Sequence, residues 1–150
     1  MHLLCPNKSI TVMITFVKHS ASFLLIVLFA YAGLSKLLTL EDFRGELHNQ
    51  SFPGWVADVL LYTLIPLELL TAGLLCFRVT ETWGLRLSAL LMAIFTMYIV
   101  LVLLDFWQRV PCSCGGILTG MSWGTHLVFN LFFLLLSVAA LILPEEAGSR

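Results

Sequence analysis

Charged residues divide this chain into long uncharged windows. His19 to Ser35 is 17 residues without Lys, Arg, Asp or Glu, bounded by Lys18 and Lys36. Asp58 and Arg78 enclose 19 residues whose only charge is Glu68, and Arg86 and Asp105 enclose 18 with none. Past Arg109 the next charge is Glu145. A helix needs about 20 apolar residues to cross the hydrocarbon core, and the first three windows approach that length. The fourth is longer, but it opens with the turn-forming run Pro111-Cys112-Ser113-Cys114-Gly115-Gly116, so its continuous apolar part is Trp123 to Leu143. The pattern predicts helices near 19–38, 56–77, 84–106 and 122–143. Trp55, Trp83, Trp107 and Trp123 each fall at a proposed helix end, where an amphipathic indole prefers the headgroup region. None of the four segments has the polar face that a helix of a soluble bundle requires.

Composition turns this pattern into a fold class. The 150 residues are 59% hydrophobic and 11% charged, against about 25% charged in an ordinary soluble domain, and the mean hydropathy is +0.97. The expected fold is all-α, an integral membrane four-helix bundle, with membrane lipid as its first partner. A formal net charge of -1 leaves no basic surface for nucleic acid, and four spans leave no room for a large soluble catalytic domain. The expected organisation is an N-terminal tail over 1–18, one transmembrane domain over 19–143 and a C-terminal tail over 144–150.

Orientation follows from Lys and Arg, which accumulate in cytoplasmic loops. With the N-terminus inside, Lys8, Lys18, Arg78, Arg86 and Arg150 are inside, and Lys36, Arg44 and Arg109 outside. Five against three puts both termini on the cytoplasmic side of the inner membrane, with the Cys112–Cys114 loop outside. The first helix also carries marks of a signal peptide, including Ala30-Tyr31-Ala32, but its apolar stretch continues through Leu38 and it reads as an uncleaved anchor, with Met13 an alternative start. Leu40, Phe43 and Leu47, spaced by three and four among charged residues, predict a short helix on the membrane surface.

Cysteine placement matters more than cysteine number. Cys5 and Cys76 fall on the reducing side, and Cys76 reads as a small buried apolar residue. Cys112 and Cys114 sit one residue apart, between Pro111 and Gly115-Gly116, in a loop facing the oxidising compartment. Bridging residues so close closes a small, strained ring, and strained exposed disulfides are the labile and catalytic ones. Other readings of the pair stay open: a structural disulfide that closes almost no loop entropy, metal binding with His126, or unpaired thiols.

Ionisable and polar residues within the spans form a second candidate site, because each charge at mid-span costs about 2.5–3.5 kcal/mol on insertion scales. Glu68 lies near the centre of its helix, two residues after Pro66, where a kink is expected to open a polar pocket. Ser122, His126 and Asn130 recur every four residues and predict one inward polar stripe. At 1.5 Å per residue, Asn130 is expected near the depth of Glu68 and to pair with it, while Lys36 lies about ten residues of rise further out, so that it reaches Glu68 only through the kink or water and otherwise snorkels. The expected intramembrane pocket is therefore Lys36, Glu68 and Asn130.

Gly33-Leu34-Ser35-Lys36-Leu37, Pro66-Leu67-Glu68 with Gly73, and Pro111-Cys112-Ser113-Cys114-Gly115-Gly116 followed by Ser122-Trp123 and His126 to Asn130 resemble the MauE branch of the DoxX-like membrane proteins. The resemblance covers about residues 16–143, and the cysteine pair is its narrowest mark. It implies a role in methylamine utilisation, in which MauE is thought to help process, export or mature the disulfide-rich small subunit of methylamine dehydrogenase. The broader DoxX group includes a subunit of a thiosulfate:quinone oxidoreductase.

Two function classes follow. In the first, Cys112 and Cys114 exchange thiol and disulfide with an exported or thioredoxin-like partner, His126 accepts a proton, and a quinone serves as electron acceptor within the bundle. In the second, the chain is a non-catalytic assembly or transport subunit whose pocket at Glu68 binds a small molecule or another subunit.

Overall fold

The computed structural model describes residues 8–50, 53–106 and 122–143. Among them are five helices and no strand: α1 (Lys8–Leu38), α2 (Leu40–His48), α3 (Gly54–Cys76), α4 (Glu81–Leu103) and α5 (Trp123–Ile142). Four of these, all but α2, are long and apolar enough to cross a membrane. The chain is an all-helical, multi-pass membrane protein, as the charge pattern predicts. α1 packs on α3, α3 on α4, α4 on α5 and α5 back on α1, whereas α3 and α5 face each other diagonally and do not meet.

The ends of α3, α4 and α5 lie within three residues of the expected positions, but α1 starts at Lys8 instead of near residue 19. Uncharged windows report where a helix can cross lipid, and a single lysine does not stop a helix. Between Lys8 and Gly33 there is no Gly or Pro to do so.

The short helix also differs from expectation. α2 does not lie on the membrane surface; it runs antiparallel along the first half of α3. The helical hydrogen-bond pattern crosses Thr39, with Thr39 N–H donating to Ser35 O at 3.0 Å and Phe43 N–H to Thr39 O at 2.9 Å. Thus α1 and α2 form one rod, bent at a single residue. Phe43 and Leu47 bury themselves against Ala57, Leu61 and Ile65 of α3, which removes from solvent the apolar face that a surface helix would give to lipid headgroups. At the tip of α2, His48 Nε2 lies 3.0 Å from Asp58 Oδ1. Tyr98 of α4 donates its hydroxyl to Gln50 Oε1 at 2.6 Å, and Gln50 donates to Glu46 O at 3.2 Å.

At the opposite end, Ser22 of α1 donates to Glu81 of α4 at 2.6 Å, and Arg78 Nη2 lies 3.3 Å from His19 Nε2. The principal core fills this half: Ala21, Leu25, Phe29, Ala72, Leu75, Leu85, Leu91, Met92 and Ala140. Gly84 permits the close approach of α4 to α3, since a Cβ there would lie 2.9 Å from the Leu75 backbone nitrogen. α4 finishes in a tight turn, with Asp105 at φ 53° and Phe106 N–H reaching back to Leu101 O at 3.2 Å. Aspartate tolerates this left-handed conformation better than most residues.

Candidate functional site

α3 buries one face through Ala57, Leu61, Ile65, Glu68, Ala72 and Leu75. These positions are spaced by three and four, so helical periodicity carries the Glu68 carboxylate into the interior. Lys36 meets it. Its Nζ lies 2.8 Å from Glu68 Oε1 and 3.0 Å from Oε2, with side chains 17% and 3% exposed respectively. The ammonium also donates to Ala32 O at 3.3 Å and lies 5.7 Å from the centre of the Phe43 ring.

This direct pairing corrects the expectation that Lys36 reaches Glu68 only through a kink or water. Because α2 occupies the space beside the first half of α3, α1 ends partway along the bundle and Lys36 is carried inward. Side chains lean toward the N-terminus of their own helix. On antiparallel α1 and α3 the two long side chains therefore lean toward one another, and the bond from Lys36 to Ala32 O shows that direction. Gly33, one turn back, brings the helices together: a Cβ there would lie 2.8 Å from a Leu69 side-chain carbon and 3.4 Å from Glu68 Cβ. α3 runs unbroken through Pro66, so the carboxylate is held by an ammonium rather than by a pocket opened at the proline.

Asn130 is buried, but the expected bond to Glu68 does not form. Its Nδ2 donates to His126 O at 3.1 Å within α5. Depth along the membrane normal placed the two residues together, whereas the arrangement of helices around the bundle places α3 and α5 on a diagonal.

His126 lies in the first turns of α5. Ser122 caps this helix, its hydroxyl accepting from Thr125 N–H at 3.2 Å and meeting Thr125 Oγ1 at 2.8 Å. The imidazole stacks on Trp123 at 6.2 Å between ring centres and 20° between planes. The stripe grades from exposed Ser122 through half-buried His126 to buried Asn130, and continues to fully buried Ser137, which the sequence reading missed. Arg109, Cys112 and Cys114 lie outside the described residues, between the end of α4 and the start of α5. Cys76 is exposed, contrary to expectation, because it ends α3 on the outward face that includes Gly73.

The sequence reading also missed the Ser22–Glu81 and Gln50–Tyr98 bonds. Their partners are 59 and 48 residues apart, and neither pair has a local spacing signal.

A family model described as methylamine utilisation protein MauE matches residues 11–143. The chain belongs to the MauE family. It is accordingly a membrane protein associated with methylamine utilisation. Neither the curated proteins nor the solved structures compared with it gave a match.

Proposed function

We propose that this MauE-family protein exchanges thiol and disulfide with an exported partner and so supports that partner's maturation. The observation that carries this reading is the family match over residues 11–143, which spans Cys112 and Cys114 and the α5 start that follows them. A thiolate of the pair attacks a partner disulfide, forming a mixed disulfide and releasing one partner thiol. The second cysteine attacks its neighbour's sulfur in that mixed bond, closing Cys112–Cys114 and releasing the other partner thiol. Two electrons and two protons pass to the partner, and the reverse sequence oxidises a partner dithiol. His126, half-buried on the first turns of α5, supplies a proton acceptor at this end.

Charge placement supports the compartment. Lys18, Arg78 and Arg86 gather, with Glu81, at one end of the bundle, and Arg44 stands among Glu41, Asp42, Asp58 and Asp105 at the other, so the end richer in Lys and Arg belongs in the cytoplasm. Reporter fusions are expected to place residue 150 inside and residue 50 outside. Cys112→Ala and Cys114→Ala, made singly, are expected to leave one variant trapped as a mixed disulfide with its partner on a non-reducing gel. Failure of both to trap, with Cys112 and Cys114 alkylated in intact cells without prior reduction, would remove the redox reading.

One observation favours a second reading, the non-catalytic assembly subunit: Glu68 is fully engaged by Lys36, which suits a strut holding α1 to α3. Glu68→Gln separates the two. Lost exchange activity at normal abundance assigns Glu68 to function, and lost abundance assigns it to assembly.

A further inference from the structure

α3 and α4 have 23 residues each, about 34 Å at 1.5 Å per residue, slightly more than the roughly 30 Å of a hydrocarbon core. The loop that joins them, residues 77–80, therefore emerges at the headgroups. It is short and pinned: Thr80 N–H donates to Phe77 O at 3.0 Å, and the Thr80 hydroxyl donates to Leu74 O at 2.8 Å. Phe77 and Val79 are left outside, 68% and 92% exposed, and apolar groups so placed favour the acyl chains over water. Arg78 stands between them.

Its guanidinium is held in one orientation. Arginine can only donate, so the 3.3 Å contact runs from Arg78 Nη2 to His19 Nε2. Because Nε2 accepts, the proton of the neutral ring sits on Nδ1, which donates to Thr15 O at 2.7 Å. An uncharged imidazole on α1 thus takes one donor of the fork and leaves the others. Lys18, partly exposed, precedes His19 on α1. Among the described residues no ion pair holds Arg78 or Lys18. Glu81, the carboxylate at this end, is engaged by the Ser22 hydroxyl at 2.6 Å.

An oriented guanidinium fork matches the oxygens of a phosphate, and a second cation beside it disfavours the ammonium of a zwitterionic headgroup while favouring a headgroup of net negative charge. We propose that Arg78, positioned by His19 and assisted by Lys18, binds the phosphate of an anionic phospholipid whose acyl chains lie against Phe77 and Val79.

The test uses the full-length protein in mixed micelles holding equal amounts of phosphatidylglycerol and phosphatidylcholine, with bound lipid counted by native mass spectrometry. Phosphatidylglycerol is expected to be retained roughly tenfold over phosphatidylcholine. Arg78→Gln and Lys18→Gln are each expected to lower that preference about fivefold, with Arg44→Gln, at the opposite end, leaving it unchanged. Arg78→Lys keeps the charge without the fork and is expected to fall between, which serves where Arg78→Gln does not accumulate. His19→Ala removes an uncharged ring but frees the fork, and is expected to lower the preference about threefold, a loss that diffuse surface charge would not produce. Equal retention of the two lipids, or an undiminished preference in Arg78→Gln or His19→Ala, would overturn the proposal. Displacement of phosphatidylglycerol by millimolar inorganic phosphate would overturn it too, assigning these donors to free phosphate.

Discussion

The two halves of the bundle are built differently. Toward Arg78, α1, α3, α4 and α5 converge on one core, with Phe29, Leu25 and Leu85 almost fully enclosed. Toward Asp58, the second core is a strip between α2 and α3 alone, Phe43 and Leu47 on Ala57, Leu61 and Ile65. Lys36 and Glu68 lie at the border, since Glu68 separates Ile65 from Ala72 along α3 and Lys36 separates Phe29 from Phe43 along the bent rod. A long helix distributes its packing over many turns and has one register. A nine-residue helix has little packing of its own and depends on its anchors: Thr39 at its start, the ion pair beneath it, and His48–Asp58 and Gln50–Tyr98 at its tip. The ion pair joins the half built on the four-helix core to the half built on α2 and α3.

The largest expected effect comes from breaking that border. Lys36→Met leaves Glu68 buried without a counter-charge and is expected to cost about 3–5 kcal/mol, while adding Glu68→Leu recovers most of the loss. Unfolding of purified protein in detergent by added denaturant measures both, and a double variant no better than the single would show that the pair is not a unit. Next, Phe29→Ala is expected to cost about 3–4 kcal/mol, because four helices cannot collapse into the space, whereas Phe43→Ala costs about 2 because α2 can shift. Equal losses in the same assay would erase the distinction between the cores. Gly84→Ala forces α4 away from the Leu75 backbone and is expected to cost about 1–3 kcal/mol, with no change in protection of α2 amides in hydrogen exchange. The smallest effect is Tyr98→Phe, about 1 kcal/mol, with faster exchange confined to residues near 40–50. Spread of that faster exchange into α1 would show the two halves to be one cooperative unit.

Much of the fold was legible in the sequence, and less of the site. Glu68 stood out as the lone charge in its window, and the cost of a charge in hydrocarbon marks it as inward. Its partner did not follow. Leu40, Phe43 and Leu47 have the spacing of any amphipathic helix, and nothing local distinguishes a helix resting on headgroups from one docked on α3. That choice displaced Lys36 inward by the length of α2 and decided the ion pair. Asn130 was misassigned for a related reason. Rise per residue gives depth along the bundle axis, but two residues at one depth still need adjacent helices.

By itself the sequence determined the number of spans, their ends away from α1, the burial of Glu68 and membership of the MauE family. These rest on one-dimensional properties: the transfer cost of charge into hydrocarbon sets where a span stops, and the helical period sets which side of it faces inward. Only the tertiary structure decided the bend at Thr39, the docking of α2, the Lys36–Glu68 pair and the separation of Asn130 from Glu68. Each depends on which helices are neighbours and in what register. That is fixed by contacts between residues tens of positions apart, among them Gly33 on Leu69 and Gly84 on Leu75, where the missing side chain lets two backbones come close enough for the rest to follow.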